Sequence, residues 1–333
     1  MRIAIIGSGI AGNVAAHHLH REHEISLFEA GDHLGGHTHT HDIELGGRSY
    51  AVDTGFIVFN DWTYPNFIAL LDELGVASQP SEMSFSVKCE RSGLEYNGNN
   101  LNTLFAQRRN LLRPSFHRML RDIMRFNREA LELIEQDSDE PSLGAFLARQ
   151  GYGQEMIERY LVPMGAAIWS ANPVTMYAFP ARFFLRFFRN HGLLSVNHRP
   201  TWRVIEGGSR SYVERLTAPF ADRVRLRTPV LSVRRLPTHV EVRTESGGPE
   251  RFDALFLACH SDQALALLAD PRTQEREVLG AIPYQANEAV LHTDASVLPK
   301  RRLAWASLWF RYIPMIVSII RLMYYKTQES KFC

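Results

Sequence analysis

Cysteine is scarce in this sequence. Its three residues in 333, Cys89, Cys259 and Cys333, are too few and too scattered for a disulfide framework or a thiolate metal site. A reducing, cytoplasmic setting is therefore expected. An excess of charge is missing too: 37 Lys and Arg face 36 Asp and Glu, a formal net charge of +1. Nothing in that balance asks for nucleic acid. No apolar run approaches the ~20 residues that span a bilayer; the most hydrophobic one, Ile313 to Ile320, is bracketed by Arg311 and Arg321. Glycine is absent after Gly280. Strand-like sequence begins at Arg2, so no signal peptide is expected ahead of the fold. The length allows a sizeable core in one large or two interleaved domains.

What is present is concentrated at the start. Arg2 to Ile6 is an apolar run of strand type that breaks into Gly7-Ser8-Gly9-Ile10-Ala11-Gly12, after which Val14, Ala15, Ala16 and Leu19 carry a helical pattern. A second apolar run, Ile25 to Phe28, ends on Glu29. Strand, glycine turn, helix, strand and acid in this register form the dinucleotide-binding fingerprint. Gly7 permits the tight turn, Gly9 lets a pyrophosphate approach the backbone, and Gly12 lets the helix sit against the strand. The anion then rests on the helix N-terminus, with Ile10 and Ala11 in its first turn. Glu29 is placed to accept hydrogen bonds from a ribose diol.

Directly after Glu29 comes Ala30-Gly31-Asp32-His33-Leu34-Gly35-Gly36-His37-Thr38. With this segment the chain resembles the flavin amine oxidase and phytoene desaturase superfamily, and within it bacterial NAD/FAD-binding amine-oxidoreductase-like proteins. The resemblance implies FAD as cofactor, an α/β fold, and a Rossmann-type FAD/NAD(P)-binding domain with an interleaved α+β substrate domain containing a helical cap. It implies cofactor contacts at Gly7, Gly9, Ile10, Ala11, Gly12, Glu29, Ala30, Gly35, Gly36, His37 and Thr38. Val230 corresponds to the position whose backbone meets the adenine, and Ala258 to the end of the strand behind the cofactor. His37 stands where Arg is usual, a weaker charge clamp. Shared features include Val52-Asp53-Thr54-Gly55-Phe56, the stretch Phe105 to Leu112, and Trp305-Ala306-Ser307.

The implied division is 1–75 and 201–275 for the FAD domain and 76–200 and 276–307 for the substrate domain, the latter stretch as strands. Residues 308–333 lack the glycine-bearing segment with which the superfamily closes its FAD site. An altered reading frame is the expected origin of that tail.

The intervening pattern predicts a helix over 64–75, a hairpin from Ser84 to Tyr96, a long helix from Pro114 to Gln136, and helices over 142–150 and 154–168. Leu120, Ile123, Met124 and Leu131 are expected to form the apolar side of the long helix. Opposite them, Arg118, Arg121, Arg125 and Arg128 make a basic stripe, which suits a solvated face first and a peripheral contact with anionic head groups second. Phe179, Phe183, Phe184, Phe187 and Phe188 serve core packing first and a tunnel for a long apolar substrate second. Gly207-Gly208-Ser209 opens a returning helix, and strands follow at 224–226, 230–234, 240–243 and 254–258.

Several sharper constellations give way to plainer ones. Asp53-Thr54-Gly55 mimics an aspartic-protease triplet, but such a dyad needs a second copy and the chain has none. Cys259-His260-Ser261-Asp262 suggests a nucleophile, yet it sits where a strand turns into a helix, with Ser261 or Asp262 as the N-cap. Eight of the fourteen histidines precede residue 42; His37, His39 and His41 alternate, without a recognised ligand spacing, so no metal is expected.

The expected function is an FAD-dependent oxidoreductase that dehydrogenates or isomerises a lipid-like acyl or polyene substrate, a small apolar molecule. Asp53 is the one catalytic candidate, through the flavin or a proton path, against a plainer role capping a turn. A flavin amine oxidase is the alternative within the fold; the lysine many such oxidases carry in the strand after the helical domain is lacking in Ile282 to Val290. An inactive or merely nucleotide-binding product is the alternative outside it.

Overall fold

The computed structural model describes residues 1–135, 141–169, 173–245, 247–284, 286 and 288–312. The expectations for the tail beyond Tyr312, and for Gln136 as the end of the long helix, lie outside the described residues. The chain divides into two compact units, one of residues 1–59, 65–79 and 204–291, the other of residues 60–64, 80–203 and 292–333.

The first unit is built on a four-stranded parallel sheet, in the order Val224–Arg225, Glu24–Phe28, Arg2–Ile6 and Ala254–Leu257. Arg2–Ile6 buries both faces. Ile3 and Ile5 pack with Ala16, Ile25, Leu27 and Phe220 on one side, and Ala4 packs with Phe28, Val242 and Phe252 on the other. That explains why the strand is continuously apolar and not alternating. Burying one such aliphatic side chain stabilises the fold by roughly 1.5–3 kcal/mol. The helix Ile10–Leu19 connects the first two strands. The hairpin His39–Leu45 and Arg48–Gly55 turns through Gly46 and Gly47, at φ +60 and +74. Val230–Arg235, Val240–Thr244 and Glu250–Phe252 form a separate antiparallel sheet. Its last strand is too short to be read from sequence.

The second unit contains the predicted hairpin, Phe85–Cys89 with Leu94–Asn97, and the helices Pro114–Glu135, Leu143–Gln150 and Ala181–Asn190. The stretch predicted as one helix over 154–168 is three pieces: Gln154–Met156, a π-helical turn Ile157–Leu161, and Val162–Trp169. Pro114–Glu135 buries Phe116, Met119, Phe126, Ala130, Leu133 and Ile134. Of the apolar side expected from sequence, Met124 and Leu131 are exposed. Larger aromatic side chains one turn away take the core instead.

Three boundaries differ from expectation. The helix Thr273–Gly280 packs on Ser261–Leu267 within the first unit, so that unit runs to Leu291 and not to residue 275. Strands expected over 276–307 are not formed. After Gly280 the chain is irregular, with short turns at Ala295–Val297 and Arg302–Ala304. Glu95 accepts the backbone N–H groups of Lys300 and Arg301, and Lys88 donates to the carbonyls of Val297 and Leu298, so side chains replace a ladder there. The break placed at 307 falls too early, since Leu308–Tyr312 pairs in parallel with Phe85–Cys89. No described helix is long and apolar enough to cross a membrane.

Candidate dinucleotide site

At the carboxyl end of Arg2–Ile6 the chain turns at Gly7, φ +100, where a Cβ would lie 2.7 Å from the Ala258 carbonyl oxygen. The Gly7 N–H donates to Phe28 O at 2.9 Å and the Ala258 N–H to Ile6 O at 2.8 Å, so the turn is held by both neighbouring strands. A Cβ on Gly12 would run into the Gly7 carbonyl. Gly9 differs from both. It caps the helix in an extended conformation, φ −66 and ψ −179, and a Cβ there would meet nothing within 4 Å. The room above Gly9 is therefore not filled by protein.

A second glycine segment closes on the first. Gly35 and Gly36 have φ of +114 and +61, Gly35 N–H donates to Ser8 O at 2.9 Å, and a Cβ on Gly36 would lie 2.9 Å from Gly9 Cα. Thr38 is buried, with its hydroxyl 2.7 Å from that of Tyr212. His37 is exposed; its ring stacks on His260 at 5.4 Å, and His260 stacks on Tyr284 at 4.4 Å. Ile10, Ala11 and Ala30 are exposed beside these glycines.

Glu29 lies at the mouth of the turn. Its carboxylate accepts from Ser8 N at 3.0 Å, Ser8 Oγ at 2.5 Å and Gly31 N at 2.8 Å. Burial works to raise its pKa, but the hydrogen bonds from Ser8 and Gly31 outweigh burial and hold the carboxyl below its ordinary value. It stays ionised at neutral pH. An ionised carboxylate offers about four acceptor positions, so capacity for a hydroxyl remains. Glu29 O also accepts from Thr228 N at 2.8 Å, which brings the approach to Val230 alongside. Val230 itself packs on the cluster of Ala4, Phe28, Val242 and Phe252.

Asp53 sits elsewhere in this unit and is 4 % exposed. It accepts from Ser209 N at 2.9 Å, from Ser209 Oγ at 3.0 Å and from the Thr40 hydroxyl. Burial pushes its carboxyl up against these hydrogen bonds. Gly208, φ +87, passes so close that a Cβ would lie 2.5 Å from Thr40 Cγ2. The carboxylate thus anchors the turn that starts the helix Arg210–Thr217.

The tetrad after Ala258 is arranged for helix initiation. His260, not Ser261 or Asp262, holds the N-cap position of Ser261–Leu267, because the chain is still extended there. Ser261 Oγ donates to Leu279 O, and burial pushes the Cys259 thiol up, away from a reactive thiolate. His33, His39 and His41 stack at 4.8 and 4.1 Å, and among the described residues no group of three His, Cys, Asp or Glu is arranged to hold a metal ion. The basic stripe loses a member: Arg125 lies over the Tyr152 ring and reaches Glu129, while Arg118, Arg121 and Arg128 are exposed. The phenylalanines divide, Phe184 and Phe188 being fully buried and Phe183 54 % exposed.

A parallel sheet, a glycine turn with vacant space over Gly9, and an acid at the end of the second strand define a dinucleotide-binding α/β protein. Residues 10–301 match the profile of flavin containing amine oxidoreductases, and the chain belongs to that family, whose cofactor is FAD. Over 55 residues, 16% of this chain and 12% of the relative, it is 44% identical to the flavin-dependent L-tryptophan oxidase RebO of Lentzea aerocolonigenes. Its fold is similar to that of cyclohexylamine oxidase from Brevibacterium oxydans IH-35A, at TM-score 0.64 and 18% identity over 84% of this chain and 62% of that one. A putrescine oxidase double mutant gives 0.61 at 20% identity, over 84% and 63%. A CLA-producing fatty acid isomerase from P. acnes gives 0.58 at 18%, again over 84% and 63%. The chain spans less than two thirds of the length of these solved proteins.

Proposed function

We propose that this chain binds FAD through the glycine turn and serves an oxidoreductase acting on a lipid-like substrate by dehydrogenation or isomerisation. The open space over Gly9 beside an ionised Glu29 carries the cofactor assignment, since a side chain would fill that cradle and a neutral partner would not order a ribose. Glu29 would hold the ribose diol. The N–H groups at the start of Ile10–Leu19, with the Gly35-Gly36 backbone, would hold the pyrophosphate, and His37 would stand beside it. Bound there, the flavin supplies the electron-accepting chemistry. Asp53 has its acceptors committed to Ser209 and Thr40, so we assign it a positioning role in place of the catalytic one.

Support for a lipid-like substrate comes from the second unit. Its buried charges Lys88 and Glu95 are engaged by backbone groups, and Asp122, Glu129 and Glu155 by Gly153, Tyr152 and Arg159. None of these carboxylates is left to receive an ammonium ion, whereas aromatic surface is plentiful. Amine oxidation remains the second reading, favoured by the tryptophan oxidase likeness.

The decisive experiment is an absorbance spectrum of the purified chain with added FAD, followed by anaerobic titration with linoleate or dodecylamine. Flavin bleaching by linoleate alone is expected. Bleaching by the amine alone would replace the substrate class, and an unperturbed free-flavin spectrum would remove the cofactor assignment.

A further inference from the structure

Buried tyrosines in this protein pair their hydroxyls, as buried phenols generally do. Tyr96 donates to Arg159 O at 2.6 Å, Tyr152 to Glu129 at 2.5 Å, and Tyr212 meets Thr38 at 2.7 Å. Tyr160 makes no such bond, although it packs against the core of the second unit and burial pushes its phenol up to about 12. It also lies on the π-helical turn Ile157–Leu161. An inserted π turn costs regular helical geometry and re-aims the side chains it carries, and such turns recur at functional sites.

The charge that acts on this phenol is Arg199. Its Nε donates to Ser195 O at 3.1 Å, and its terminal nitrogens meet no carboxylate among the described residues. The loop carrying it is fixed where it leaves the aromatic helix: Gly192 has φ +68, and a Cβ there would lie 2.6 Å from Pro200 Cδ. On that helix Phe187 packs on Trp169 at 4.6 Å and on His191 at 3.9 Å, with Phe183 exposed nearby. An unengaged phenol and an unengaged guanidinium therefore stand at one end of an aromatic surface.

Phenol and guanidinium are both donors, and together they suit one carboxylate. We propose that Tyr160 and Arg199 grip the carboxylate of a long-chain apolar acid whose hydrocarbon lies along Phe183, Phe187 and Trp169. This rests on the lipid-like substrate class proposed above and names its head group.

The test uses the purified full chain and the fluorescent fatty acid cis-parinarate, displaced by linoleate or by methyl linoleate. Linoleate should compete at least about tenfold better than its ester, and Tyr160→Phe and Arg199→Gln should each weaken parinarate binding about tenfold, the size of a lost charge-assisted hydrogen bond. Arg199→Lys should recover part of the loss. Thermal unfolding of the variants should match the parent, since Phe keeps the ring and Arg199 is exposed. Equal competition by the ester, or parent-like binding in both variants, overturns the proposal. The readout needs no flavin. A chain that bleaches with linoleate yet ignores both substitutions loses this pair and keeps its substrate class. One that binds the acid through the pair but never bleaches keeps the pair and loses the reaction.

Discussion

The first unit contains the same device twice. At residues 7–9 and again at 207–209, glycines and a serine lead into a helix, and a carboxylate from another strand end accepts both the serine N–H and its hydroxyl: Glu29 with Ser8, Asp53 with Ser209. They differ in what lies over the glycine. A Cβ on Gly9 would meet nothing, while one on Gly208 would strike Thr40 and approach Asp53 to 3.3 Å. One turn has kept room for a ligand and its acid stays readily ionised; the other has been filled by protein and its acid is hard to ionise. Glycine turns of this kind are therefore told apart by the space above them, not by their composition.

The largest effect should come from breaking the filled turn. Asp53→Ala leaves the Ser209 and Thr40 donors buried without an acceptor and should cost about 3 kcal/mol of unfolding free energy in urea. Asp53→Asn should cost less. FAD affinity of the molecules still folded should change by less than about twofold, because a positioning role ends at the helix start. A loss of flavin affinity out of proportion to stability would restore Asp53 to the chemistry.

The open turn should respond the other way. Gly9→Ala meets no atom, so its unfolding curve should shift by no more than about 1 kcal/mol, near the usual Gly-to-Ala range, while FAD binding followed by fluorescence quenching falls roughly 10–100-fold as the methyl enters the space a phosphate needs. Unchanged affinity would place the pyrophosphate elsewhere. Next in size, Glu29→Gln should weaken FAD and ADP-ribose alike by about tenfold, the cost of one charge-assisted hydrogen bond pattern. An effect on FAD alone would move Glu29 away from the ribose.

The smallest signal is the pH dependence. Glu29, whose folded pKa is lowered, contributes stability that is present above the ordinary carboxylate pKa and fades as pH falls through the depressed value. Asp53, whose folded pKa is raised, contributes stability that is full below its ordinary value and is lost as pH rises through the elevated one. Urea midpoints across the acid range should therefore lose part of their pH slope in Glu29→Gln and part of the opposite slope in Asp53→Asn. Equal slopes in both variants would mean the two acids share one environment after all.

The open turn was legible because its parts are contiguous: strand, glycines, helix and acid fall within Arg2 to Glu29, and each residue type has one physical use there. The helices at Pro65–Leu74 and Pro114–Glu135 were legible for the same reason, a local period. The filled turn was not. Asp53 and Ser209 are 156 positions apart, and nothing in Val52-Asp53-Thr54-Gly55 names a distant partner. Likewise the His37, His260 and Tyr284 stack joins three chain regions that share no periodicity. The irregular path from Ala281 to Arg301 escaped because side chains of Lys88 and Glu95, not a strand pattern, hold it.

The parallel sheet has a bearing on biosynthesis. Arg2 is tied to Asp253, 251 positions later, and the first strand lacks its outer neighbour until Ala254–Leu257 has left the ribosome. At about 5–20 residues per second that wait lasts roughly 12–50 s. Throughout it a nascent apolar strand stands half-paired, so chaperone occupancy during translation should govern yield more than the equilibrium stability of the finished molecule.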